Sequence, residues 1–166
     1  YQDGLAADGE LGRKVVEDAA KRGSKNHQVL LNLIRRGAEI RKTEDVALLL
    51  EEGKLLLRAT GGHPGKLEVL DQTEYQEQKE SLTYQRDAFV AGRINETLRQ
   101  GETGVLFMGA YHDVVSHLDE EIVVIPIKER GNVKEYFQEL LLGKNDAKLR
   151  ELASYVASPV PGPTQA

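Results

Sequence analysis

The run Gly104-Val105-Leu106-Phe107-Met108-Gly109-Ala110-Tyr111-His112 constrains this chain more than any other stretch. A short apolar block stands between two glycines, and an imidazole follows three residues after the second. That pattern predicts a buried strand of an α/β sheet delivering one polar side chain to the sheet's carboxyl edge. A second β run, Glu121 to Ile127 (EIVVIPI), is rich in β-branched residues, and Pro126 within it marks an edge strand or a strand end. About eleven residues link the two runs, near the lower limit for a parallel crossover. A third, short strand is expected at Ala38 to Arg41. The expected fold is therefore α/β: a small, mainly parallel sheet flanked by several helices, rich in helix, and a fragment of a larger sheet.

The helices announce themselves by apolar spacing and by their stops. Leu11, Val15, Val16 and Ala19 give one face to a helix over 10–22, ended by Gly23. Ser24 caps a second, 25–36, with Val29, Leu30, Leu33 and Ile34 as its stripe and Gly37 as its end. Thr43 is expected to cap a third running to about Arg58, with Glu44 and Asp45 at the positive end of its dipole. Thr60 to Gly65 (TGGHPG) is a loop. The longest helix starts at about Leu67 or Asp71 and runs to Gln100, with Phe89, Val90, Ile94 and Leu98 at core spacing in its second half. After His112, Asp113 is placed to cap about one helical turn. Two further helices are expected over 133–142, stopped by Gly143, and from an Asp146 cap to about Ala157.

A chain of 166 residues fits one domain, 1–157, followed by a Pro-rich polar tail, 158–166 (SPVPGPTQA), that is expected to be disordered. No cysteine is present, which removes disulfides, thiolate nucleophiles and Cys-based zinc sites from consideration within this chain. The formal net charge is −5 and no basic block stands out, so nucleic acid is not an expected partner. No apolar run approaches the roughly 20 residues of a membrane span, and nothing resembles a signal peptide, so neither a membrane nor secretion is expected and the cytoplasm is the default. The chain opens on Tyr1, and Met108 is its one methionine. A processed start and a fragment of a longer protein both explain this, and the fragment is the preferred reading.

Chemistry is expected where the strand ends. Gly109 lets a backbone or ligand approach closely. His112, Asp113, His117 and Asp119 crowd the following loop, and imidazole with carboxylate suits zinc, manganese or iron, or acid–base work near neutral pH. His112, Asp113 and His117 are thus the candidate ligands of a divalent metal ion. Asp113 also reads as a helix cap and His117 as a surface residue, and those readings carry more weight. A second candidate lies on the long helix. Arg86, Val90, Arg93 and Thr97 share one face, and Asp87 falls in line with the core positions Ala91, Ile94 and Leu98. A carboxylate there is either paired with an arginine or held near a site, because an unpaired buried charge is expensive. His27 and His63 are weaker candidates. No Walker loop, H-E-x-x-H, G-x-S-x-G or EF-hand loop occurs.

An Arg-Asp pair opening a helix (QRDAFVAGRINETL), a strand ending in G-x-x-H (GVLFMGAYH) and a further β run (EIVVIPI) together resemble the second half of the TraB and erythromycin-esterase/ChaN-like superfamily. The chain is also similar to bacterial and archaeal proteins that carry an additional N-terminal β segment. The resemblance spans about Gln85 to Ile127. It implies that Arg86 and His112 are site residues, that Gly109 is the motif's glycine, and that the activity is hydrolysis, metal-dependent in some members. Gln85 stands where the E-R-N form of the pattern has Glu, and the superfamily's first G-x-x-H has no counterpart. The implied site is incomplete in this chain.

Two functions follow as expectations. One is a hydrolase-like domain with His112 and Arg86 as catalytic residues, Gly109 and Asp87 contacting a small-molecule or peptide substrate, and a divalent metal ion as cofactor. The other is a non-catalytic binding or regulatory module whose polar long helix and amphipathic helices form a partner surface. A homo-oligomer is compatible with either.

Overall fold

A computed structural model describes residues 1–59, 72–143 and 145–160. Helix accounts for 63% of the structure and strand for 1%, so the expected α/β fold with its parallel sheet is overturned. Six α-helices carry the architecture of the described residues: α1 (Gly9–Lys21), α2 (Lys25–Arg35), α3 (Val46–Ala59), α4 (Gln72–Thr97), α5 (Arg130–Leu142) and α6 (Asp146–Ala157), with a short 3-10 helix at Val114–His117.

The three runs expected to be strands fail to pair for identifiable reasons. Phe107 makes one parallel bridge to Gln2. Its N–H donates to the Tyr1 carbonyl (3.1 Å), and its own carbonyl accepts from the Asp3 N–H (2.8 Å). A sheet needs that ladder repeated, and among the described residues it is continued only by the Tyr1 ammonium, which donates to the Val105 carbonyl at 3.0 Å. Chain 38–45 passes the same segment without a ladder. The Leu5 carbonyl there accepts from two consecutive N–H groups, Thr43 (2.8 Å) and Glu44 (3.1 Å). Residues 123–127 make no main-chain hydrogen bond to any described residue, and Pro126 lacks the donor a central strand requires.

The helix stops behave as their chemistry dictates. Gly23 and Gly37 adopt φ of +95° and +98° just past α1 and α2, a conformation that suits glycine because it has no Cβ. The caps depart from expectation. Thr43 and Glu44 are buried and non-helical, and the Thr43 hydroxyl donates to the Gln2 carbonyl. Helix α3 instead opens with the Asp45 carboxylate accepting from the Ala47 N–H at 2.7 Å. At α6 the cap is Asn145, whose side-chain oxygen accepts from the N–H groups of Ala147 and Lys148. The expected loop at 60–65, the start of the long helix before Gln72 and tail residues 161–166 lie outside the described residues.

The chain divides into two compact units, Tyr1–Asp119 and Glu120–Ala166. In the first, Leu5, Val16, Leu30 and Ile40 form a core against which Leu31, Ile34 and Phe107 pack. Leu82, Val90, Ala91 and Ile94 of α4 are buried as well, as are Leu55 and Ala59 of α3. One face of α4 ties down the N-terminal segment by polar contacts. Arg86 reaches Asp3, Arg93 reaches Asp8 (3.3 Å), and the Thr97 hydroxyl meets the Tyr1 phenol (2.7 Å). In the second unit α5 and α6 pack as a pair, and the Lys128 ammonium closes the end of α6 on the carbonyls of Tyr155 (2.7 Å) and Ser158 (2.8 Å).

Candidate active site

The site lies in the first unit, where the Arg86-Asp87 step of α4 meets residues 3–4, 44 and 109–113. Neighbouring helix positions diverge by about a quarter turn, so each of the two side chains gathers its own set of partners.

Arg86 sits in a cage of carboxylates. Its Nη2 and Nε donate to the two oxygens of Glu44 at 2.6 and 3.2 Å, the fork geometry that guanidinium and carboxylate share. Nη1 donates to Glu52 Oε2 at 3.0 Å, and Asp3 Oδ1 stands 3.5 Å from Nη2. The Glu44 side chain is 1% exposed, and its Oε1 also accepts from the Gly4 N–H at 3.0 Å. Burial alone would lower the Arg86 pKa. The hydrogen bond to Glu44 and the charges of Glu44, Glu52 and Asp3 outweigh it and raise the value.

Asp87 is 3% exposed. One carboxylate oxygen lies 2.5 Å from His112 Nδ1, and the other accepts from the Asp113 main-chain N–H at 2.7 Å. A carboxylate only accepts, so His112 presents Nδ1–H to it. The His112 N–H donates back to the Gly109 carbonyl at 3.1 Å, which makes 109–112 a tight turn that holds the ring over Asp87. Gly109 belongs to the same cluster. A Cβ there would lie 3.6 Å from both Asp3 Oδ2 and His112 Cδ2. Asp3 thereby links the two halves, facing Arg86 with one oxygen and the Gly109–His112 turn with the other.

The structure brings together Arg86, Asp87, Gly109 and His112, four of the residues singled out in the sequence, but not as a metal centre. Among the described residues no three His, Asp or Glu side chains converge as a metal ion requires, which corrects the expected set His112, Asp113 and His117. His112 turns Nδ1 to Asp87. Asp113 contributes its main-chain N–H to the same carboxylate. His117 packs edge-on against the Tyr84 ring, centroids 4.8 Å apart, while its carbonyl faces Asn95. His27 lies outside the site, its Nδ1 at 2.7 Å from the Ser24 hydroxyl, and His63 is outside the described residues. The sequence did not single out Glu44, Glu52 or Asp3. Glu44 looked like a first-turn helix residue, and only the fold shows that it is buried.

A groove of about 350 Å³ runs between α3 and α4, lined by Leu49, Glu52, Gly53, Leu55, Leu56, Tyr75, Lys79 and Leu82. It shares Glu52 with the Arg86 cage and includes neither Asp87 nor His112. No helix among the described residues is long and apolar enough to cross a membrane.

No family model, curated protein or solved structure matches the chain. The TraB-like, esterase-like and hydrolase expectations drawn from the short motifs therefore gain no support, and the sheet they presupposed is absent among the described residues.

Proposed function

We propose that the chain carries an acid–base centre in which His112 moves a proton through Nε2 and Asp87 is the positioning residue that fixes the ring. The observation that carries this reading is the buried Asp87 carboxylate, one oxygen on His112 Nδ1 and the other on a main-chain N–H. That arrangement sets the tautomer and orientation of an imidazole and stabilises its cationic form once a proton has been taken. Arg86 serves the same centre indirectly. With its charge already matched by Glu44, Glu52 and Asp3, it anchors residues 3–4 beside the Gly109–His112 turn. Carboxylates outnumber cations around the ring, so neutral or cationic small molecules are better suited to it than anions.

The test uses a general-base probe, nitrobenzisoxazole, which opens when a base removes its ring C–H proton. The expected result is opening about 100-fold faster than with His112→Ala, the lower end of what a positioned base supplies. Equal rates for the two proteins, with both folded, would contradict the reading. A second reading, a binding or regulatory module, is favoured by the exposed apolar side chains of the second unit, among them Val123, Ile125, Leu141 and Leu142.

A further inference from the structure

Residues 122–126 belong to no helix, strand or turn, yet they are among the most apolar in the chain. Val123 is 86% exposed, Ile125 80% and Ile127 61%. None of 123–127 makes a main-chain hydrogen bond to a described residue. A β-branched run with open main-chain donors and acceptors is a template for strand pairing. The question is which strand.

The ends of the run answer it. Glu120 and Glu121 precede the apolar residues and Lys128 follows them. Neither glutamate makes an ion pair among the described residues, and the Lys128 ammonium is met there by carbonyl and hydroxyl oxygens, not by a carboxylate. An antiparallel copy of the same run places acidic ends opposite basic ends. With Val124 opposite its own symmetry mate, Glu120 faces Lys128 and Val123 faces Ile125 on one surface of the ribbon. Shifting the centre to Val123 sets Glu120 against Pro126. Shifting it to Ile125 sets Glu121 against Glu129. Pro126 then fixes which pairs carry hydrogen bonds. Antiparallel positions alternate between bonded and non-bonded pairs, and a residue without N–H is accommodated in a non-bonded one. Pro126 and Val124 are therefore non-bonded positions, while Val123 and Ile125 exchange about four main-chain bonds across the two-fold axis.

We infer that residues 120–128 form an isologous strand-pairing surface whose partner is a second copy of this chain, in the register centred on Val124. The contact is closed by its two-fold symmetry and does not propagate into a fibre.

Sedimentation of the full chain over a range of concentrations, with two proline variants, tests this. Val123→Pro removes a ladder donor and should leave a monomer. Val124→Pro falls at a non-bonded position and should retain the dimer. Helical circular dichroism should be the same for all three, because the substituted residues lie outside the helices. A native chain that stays monomeric at high micromolar concentration would overturn the inference, as would a dimer that the two prolines affect equally. Val124→Cys adds a check of register, since the chain has no other cysteine. Cα atoms about 4.5 Å apart at a non-bonded pair fall within disulfide range, so mild oxidation should cross-link this variant faster than Ser116→Cys. Equal cross-linking would contradict the register.

Discussion

Replacing Asp87 separates its contribution to folding from its control of the imidazole. In Asp87→Ala both acceptors vanish from a position that is 3% exposed, leaving the Asp113 N–H and His112 Nδ1 without them. Two charge-assisted bonds at about 1.5–3 kcal/mol each, less about 0.5 kcal/mol regained from alanine's helix propensity, give a loss of about 2.5–5.5 kcal/mol. That is a large part of the stability of a domain this size, typically about 5–15 kcal/mol. Asp87→Asn is milder and more informative. The Asp113 main-chain N–H can only donate, so the carboxamide oxygen must face it and the NH₂ must face His112. Nδ1 then has to offer its lone pair, and the ring proton moves to Nε2. The expected stability loss is about 1–2 kcal/mol, since one acceptor survives. The base activity should fall to the level of His112→Ala, because Nε2 then already carries the ring proton. Urea denaturation gives the first quantity and nitrobenzisoxazole opening the second. An Asp87→Ala protein within 0.5 kcal/mol of native, at unchanged m-value, would refute the burial argument. An Asp87→Asn protein with native base activity would refute the tautomer argument.

The Arg86 cage should respond according to burial. Glu44→Ala removes a side chain 1% exposed and should destabilise by about 3–5 kcal/mol, while Glu52→Ala, 43% exposed, should change stability by less than about 1 kcal/mol in the same denaturation assay. The raised Arg86 pKa fixes the sign of its pH dependence. The stabilisation is complete below the ordinary guanidinium range and is lost only as pH rises through the still higher folded value, so urea midpoints across the neutral and mildly alkaline range should show no transition attributable to Arg86. Two glycines should behave oppositely. Gly12→Ala drives a Cβ to 2.4 Å from the Ala7 carbonyl oxygen and should lose about 1–3 kcal/mol by thermal denaturation. Gly92→Ala meets nothing within 4 Å inside α4 and should gain about 0.5–1 kcal/mol.

What the sequence disclosed and what it concealed divide along local and non-local lines. Helices α1 and α2 were legible because their apolar stripes and the stops Gly23 and Gly37 are local signals. The strands were misread because periodicity reports burial, and pairing depends on a neighbour that one segment cannot specify. Phe107 finds such a neighbour for a single step, and residues 123–127 find none among the described residues. Asp87 was recognisable as a carboxylate aligned with core residues that must have a partner. That the partner is His112, with Arg86 going to Glu44 instead, is set by contacts 25 and 42 residues apart in the chain. The metal expectation failed on direction: His112, Asp113 and His117 are close in sequence, but the His112 ring and the Asp113 main-chain N–H both turn to Asp87 while the His117 ring packs on Tyr84.

Nitrogen NMR of the imidazoles, with His112 assigned by its loss in His112→Gln, tests most directly whether Asp87 governs the ring. In the neutral ring of the native protein Nδ1 should carry the proton and Nε2 should show the signature of an unprotonated nitrogen, with the two exchanged in Asp87→Asn. A neutral His112 already protonated at Nε2 in the native chain, or one whose pattern is indifferent to residue 87, would leave the buried carboxylate without the role assigned to it.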